Sequence, residues 1–377
     1  MARLELQAVA HRYAQRSSLG TRASTQEAAR YALAPLDLVF REGGAYALLG
    51  PSGCGKSTLL NIISGLLRPS EGRLLIDGKD VTAAPPQARN IAQVFQFPVI
   101  YDTMTVADNL AFPLRNRGVD RRTIQQRVAQ IADLLELTPT LGKRASSLSA
   151  DMKQRISLGR GLVRTDVAAI LLDEPLTVID PHVKWLLRRK LLQIHAELAV
   201  TLIYVTHDQT EALTLADQVL VMSDGSVLQQ GTPEALFERP EHTFVGYFIG
   251  SPGMNLLPCT LVDGAVLIEG QRLPIAPDLA KRAAAQSEPL VLGVRPEFVR
   301  LHASPPDDGA NTLAGRLNGV IDEVETGGHA RTVFASVGGS RLAIKVTDDG
   351  VPAVPGARCS LELLPERTIL YAGGRAL

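Results

Sequence analysis

The 377-residue sequence has little cysteine and no excess of either charge. Cys54, Cys259 and Cys359 are odd in number, far apart and without metal-ligand spacing, which argues against a disulfide framework or a zinc site and fits a reducing compartment. Lys plus Arg equal Asp plus Glu at 39 each, so no overall field draws the chain toward nucleic acid or anionic lipid. Long apolar runs are missing too: stretches such as Val167 to Leu172 fall far below the roughly eighteen residues of a membrane span. The opening MARLELQAVA lacks a charged-then-apolar leader pattern, so the chain is expected neither to span a membrane nor to be exported.

What is present is a globular balance, 45% hydrophobic and 21% charged, over a length that suits two domains. Leu4 to Val9 alternates like a strand, and the polar stretch Gln15 to Arg30 has no period and is expected to be an exposed insertion. Ala45 to Leu49 predicts a strand, a Gly-rich turn follows, and Ser57 to Leu67 predicts a helix. A helical subdomain is expected over about 97–163, with Ile124, Val128, Ile131, Leu134 and Leu135 at steps of three and four. Strands at Ala168 to Leu172, Thr201 to Thr206 and Gln218 to Met222 then alternate with helices at Pro181 to Leu198 and Gln209 to Ala216, the rhythm of a parallel α/β sheet. From about Gly250 short strands punctuated by Gly and Pro predict a small β domain, giving expected domains of 1–249 and 250–377.

Residues 50 to 58, GPSGCGKST, fit the G-x-x-x-x-G-K-[ST] template between predicted strand and predicted helix. Across Gly50, Pro51, Ser52, Gly53, Cys54 and Gly55 the glycines would let consecutive backbone N–H groups curl around phosphates, Lys56 would reach the terminal phosphates, Ser57 can hold Mg2+, and Thr58 follows it into the helix. The run Val167 to Leu172 ends in Asp173-Glu174, two carboxylates at the carboxyl end of an apolar strand. Asp173 would support Mg2+ and Glu174 would polarise the attacking water, since phosphoryl transfer needs a positioned nucleophile.

With these motifs on the page, residues 1–250 resemble the ATP-binding cassette (ABC) family, an α/β P-loop NTPase fold with an inserted helical subdomain. The resemblance implies ATP and Mg2+ as ligands. It also implies a glutamine that senses metal and γ-phosphate at Gln96, a dimer-loop aspartate at Asp180 and a switch histidine at His207. An aromatic stacked on adenine is expected ahead of the phosphate loop, at Tyr13 or its rival Tyr31.

The family's Leu-Ser-Gly-Gly-Gln signature acts across a head-to-tail dimer, and here it reads Leu148, Ser149, Ala150, Asp151, Met152. Ser149 can cap its helix and face a γ-phosphate, whereas Ala150 narrows the approach and Asp151 brings negative charge. At about 5 Å and an effective dielectric of about 20, a pair of unit charges costs on the order of 3 kcal/mol unless Lys153 or Mg2+ offsets it. Either Asp151 points away and the site works, or the loop serves a weakened site. A heterodimer with a related cassette is the expectation, over a homodimer.

NIAQVFQFPVIYDTMTVADNLAFPLRNRG and LSADMKQRISLGRGLVR look like importer cassettes that serve sugars, polyols and glycerol phosphate, above all the ATPases of bacterial glycerol importers. GVRPEFVRL resembles the Arg-Pro-Glu turn of their C-terminal all-β, OB/barrel-like (TOBE-type) regulatory domain. The branch implies two membrane permease subunits, docking near Phe97, Pro98, Val99 and Tyr101, an extracytoplasmic solute-binding protein acting indirectly, and a place on the cytoplasmic face of the inner membrane. Two other functions are weighed: an ATP-binding regulatory subunit without productive hydrolysis, against which Glu174 and His207 speak, and a soluble cassette acting on nucleic acid. The latter would call for a tandem cassette, a long coiled coil or a basic arm, none of which the sequence has.

Overall fold

Ala45–Leu49, AYALL, is apolar throughout and buried at every position. Strands covered on both faces read as such unbroken apolar runs. In the computed structural model it sits inside a six-stranded sheet ordered Ser226–Gly231, Gln218–Ser223, Ala45–Leu49, Thr201–Thr206, Ala169–Asp173, Ile91–Val94. The pairings are parallel except for the Ser226–Gly231 hairpin. Their register sets Leu49 beside Thr206 and Asp173 beside Val205, so three strands end on one edge. The structure describes residues 2–13, 31–198, 200–302, 315–327, 330–346 and 353–377; the expected insertion at 15–30 lies outside the described residues.

A second, antiparallel sheet runs Leu33–Phe40, Leu4–His11, Glu71–Ile76, Lys79–Asp80. Between the two sheets the helix Lys56–Ser64 buries Leu59, Leu60, Ile62 and Ile63 in a core shared with Leu4, Leu6, Phe40, Leu171 and Ile203. The helices Val106–Arg115, Arg121–Leu134, Ala150–Leu162 and Pro181–Leu198 share the other core, with Leu110, Ile124, Val128, Ile131, Ile156, Leu187 and Leu191. Asp120 caps Arg121–Leu134 by accepting from the Thr123 N–H, and just past the helix end Glu136 turns to φ 56°. Among the described residues no helix is long and apolar enough to cross a membrane.

The chain divides into two compact units, 1–233 and 234–377. In the second unit, one antiparallel sheet runs Gln271–Pro274, Ala265–Ile268, Asn255–Val262, Leu290–Val294, Thr368–Ala372, Arg375–Ala376. The other runs Val299–His302, Arg358–Leu363, Arg316–Gly327, Ala330–Val337, Ser340–Val346. The two share a core that includes Leu257, Val266, Leu292, Leu317, Ile321, Val333, Leu361 and Leu370. Arg295 of the Arg-Pro-Glu turn is 1% exposed and donates to the carbonyls of Leu236, Phe237, Gly246 and Ile249. This places the unit boundary ahead of the change in composition near 250, because Arg295 ties two short helices before that point to the β core.

Candidate functional site

The Gly-rich turn is closed by contacts that exclude side chains. A Cβ on Gly50 would lie 2.3 Å from the Met222 carbonyl oxygen. Gly55 holds φ 104° and starts the helix Lys56–Ser64, which no side chain caps and no acid precedes in its first turn. Such a helix start, with unsatisfied N–H groups and a positive dipole end, is suited to an anion. Lys56 is buried, and its ammonium donates to the carbonyls of Gly50 (2.7 Å) and Pro51 (2.9 Å). Cys54 lies 3.8 Å from that ammonium, and burial nevertheless pushes its thiol up.

Asp173 ends the strand Ala169–Asp173, with Glu174, Lys56 and Ser57 near enough to act on its carboxyl. Burial first, and then the neighbouring Glu174 charge, raise the Asp173 carboxyl above its usual range, against the pull of Lys56 and Ser57. Glu174 adopts φ 45°, the left-handed region, and its N–H donates to the Val205 carbonyl at 2.9 Å. One oxygen, Oε2, then collects three side chains: it accepts from Gln96 Nε2 and from Thr177 Oγ1, each at 3.3 Å, and lies 3.2 Å from His207 Nδ1. Thr177 was not singled out in the sequence, although its place three residues after Glu174 in DEPLT is the available signal.

One open cleft of about 590 Å³ has Tyr13, Ser52, Lys56, Ser57, Gln96, Glu174 and His207 among its walls, while Gly50, Pro51, Cys54 and Asp173 lie outside its lining. Tyr13 is 54% exposed, with its hydroxyl 3.2 Å from Thr58 Oγ1. Tyr31 instead donates to Glu71 at 3.0 Å and lies under the Arg12 guanidinium. Ser149, Ala150, Asp151 and Asp180 are not among the cleft residues. Ser149 caps Ala150–Leu162 by accepting from the Met152 N–H, and Asp180 accepts from the His182 N–H. Asp151 turns back along its helix to Arg155 at 3.0 Å, and Arg155 also holds Glu136; Lys153, the expected offset, pairs with Asp102. Phe97, Val99 and Tyr101 are exposed.

A family model described as ABC transporter matches residues 33–177, one for the MalK OB fold domain matches 250–299, and one for the TOBE domain matches 292–370. The chain is 45% identical over 291 residues to the sn-glycerol-3-phosphate import ATP-binding protein UgpC of Burkholderia pseudomallei (strain 1710b), covering 76% of this chain and 79% of that protein. The chain belongs to the ABC transporter ATP-binding family.

The UgpC protein of Vibrio cholerae serotype O1 is 40% identical to this cassette over 278 residues, 74% of this chain and 73% of the relative. Among solved structures, the dimeric post-hydrolysis state of the ATP-binding cassette MJ0796 bound to ADP and Pi is similar, with a TM-score of 0.53 and 25% identity. That match covers 61% of this chain and 98% of the other. As an ABC ATPase the cassette binds and hydrolyses ATP and acts with membrane permease subunits.

Proposed function

We propose that this cassette powers import of glycerol or its phosphate ester from the cytoplasmic face of the membrane, closing on ATP as one half of a head-to-tail pair. The observation that carries the hydrolytic part is the convergence of Gln96, Thr177 and His207 on the single Oε2 of Glu174 beside the phosphate loop. The solute rests on the names of the relatives, which are glycerol-3-phosphate import proteins, and on the likeness of LSADMKQRISLGRGLVR to glycerol importers.

In this reading the 50–55 backbone and Lys56 bind the phosphates, and Tyr13 stacks on the adenine ring. Glu174 draws a proton of the attacking water, while His207 and Gln96 fix the carboxylate through Oε2. Ser57, Asp173 and Gln96 would supply hard oxygens to Mg2+, in the small number that this ion takes from protein, and the ion would neutralise charge on the phosphates. Ser149 and Ala150 serve the partner's site, with Asp180 at the dimer loop. The turn of Asp151 onto Arg155 supports a working signature, because it neutralises the charge that would otherwise weaken the site. The partner cassette is identified by mass: with Glu174→Gln and ATP, a dimer on light scattering means self-pairing, and a monomer means a related chain.

Uptake of labelled glycerol and of sn-glycerol 3-phosphate in a deletion strain tests the solute. Normal uptake of both, with loss of another sugar, would overturn the assignment.

A further inference from the structure

Glu211 is only 3% exposed and lies four residues beyond His207, in the first turn of the helix Gln209–Leu215. A glutamate at this place after a cap residue ordinarily reaches back to the cap's own backbone N–H. Here that N–H, on Asp208, is taken by Thr206 Oγ1 at 2.9 Å. Glu211 passes it and accepts from the Thr206 hydroxyl at 2.9 Å and the Tyr204 hydroxyl at 2.7 Å. These hydroxyls sit two residues apart on one face of the strand Thr201–Thr206.

The consequence is directional. A hydroxyl has one proton, and with that proton committed to Glu211 the Thr206 oxygen presents its lone pairs to the Asp208 N–H. Asp208 Oδ1 in turn accepts from the Glu211 N–H at 3.1 Å. The ring Thr206, Asp208, Glu211 therefore grips the residues on both sides of His207 and leaves the imidazole at the cleft, 3.2 Å from Glu174. Capping alone needs only Asp208, and a buried carboxylate is a costly way to fill space.

We propose that Glu211 is a positioning residue for His207, setting the switch histidine against Glu174 through Thr206 and Asp208; this rests on the hydrolytic reading of Glu174 and His207. The test is ATP turnover of the full chain, with nitrogen NMR of histidine-labelled protein. Glu211→Ala and Thr206→Val should each lower kcat roughly ten- to a hundredfold, the scale of an ångström of misplacement, with KM for ATP within about twofold. Glu211→Gln, whose amide oxygen can still accept both hydroxyls, should recover most of the rate. In a His207→Ala background, Glu211→Ala should add nothing, whereas a purely structural role would multiply the two losses. The His207 ring resonance, assigned by its loss in His207→Ala, should move in Glu211→Ala and Thr206→Val but not in Glu211→Gln. Equal losses in both backgrounds, or an unmoved resonance in Glu211→Ala, overturn the Glu211 assignment alone. Full turnover in His207→Ala overturns the histidine's role beneath it, and the assignment with it.

Discussion

His207 Nδ1 lies 3.2 Å from Oε2 of Glu174, although the two residues stand at the ends of different strands. Adjacent parallel strands, Ala169–Asp173 and Thr201–Thr206, make the meeting possible by ending on the same edge. Holding Glu174 at φ 45° costs on the order of 1 kcal/mol, a strain that a bond to Val205 helps to retain.

Glu174→Gln keeps the shape of this junction and removes its charge. Phosphate release should fall by about a hundredfold or more while ATP binding persists. Filter binding alongside a turnover assay checks both, and unchanged turnover would remove Glu174 from the chemistry.

Asp173 should trade stability for function. Its folded-state pKa is raised by burial and by Glu174, so the folded chain holds this proton more tightly than the unfolded chain does. That contribution is full below the ordinary carboxyl value of about 3.9 and is lost as pH rises through the raised one, leaving an ionised, costly group at neutral pH. Asp173→Asn should therefore raise the melting midpoint of the ligand-free chain at pH 7, by less as the pH approaches about 4, while turnover falls by about a hundredfold. Calorimetry at the two pH values reads the sign.

Arg155 governs the charge beside the signature. Arg155→Met strands the partly exposed Asp151, whereas Glu136 keeps Lys190 at 3.6 Å, and should cost about 1 kcal/mol and slow hydrolysis. Adding Asp151→Asn should restore turnover without restoring stability. A turnover still slow in the double variant would mean that packing, not charge, limits this loop.

Tyr13→Leu should weaken ATP binding by about tenfold, the worth of one aromatic stack, and Tyr31→Leu by less than about twofold. Titration with a fluorescent ATP analogue separates the two.

In the second unit, burial lowers the Arg295 guanidinium pKa to about 10, which leaves it charged at neutral pH among carbonyl oxygens. Arg295→Met leaves those oxygens without their donor and should cost about 3 kcal/mol or more, read as a lower denaturation midpoint.

GPSGCGKST, the apolar strand ending in Asp173-Glu174, and the alternation of strands and helices were legible in the sequence because each is local. A phosphate loop is built from consecutive N–H groups, and a strand covered on both faces has to be apolar throughout. Local pattern could not choose between Tyr13 and Tyr31, put Thr177 on the Glu174 carboxylate, or send Asp151 to Arg155 while Lys153 went to Asp102. Nor could it foresee that Glu211 would reach past its helix cap to Thr206, or that Arg295 would collect carbonyls from helices 46 to 59 residues away. Those partnerships depend on which strand ends lie side by side and which helix faces are buried, and the chain decides them only when the sheets and helices pack.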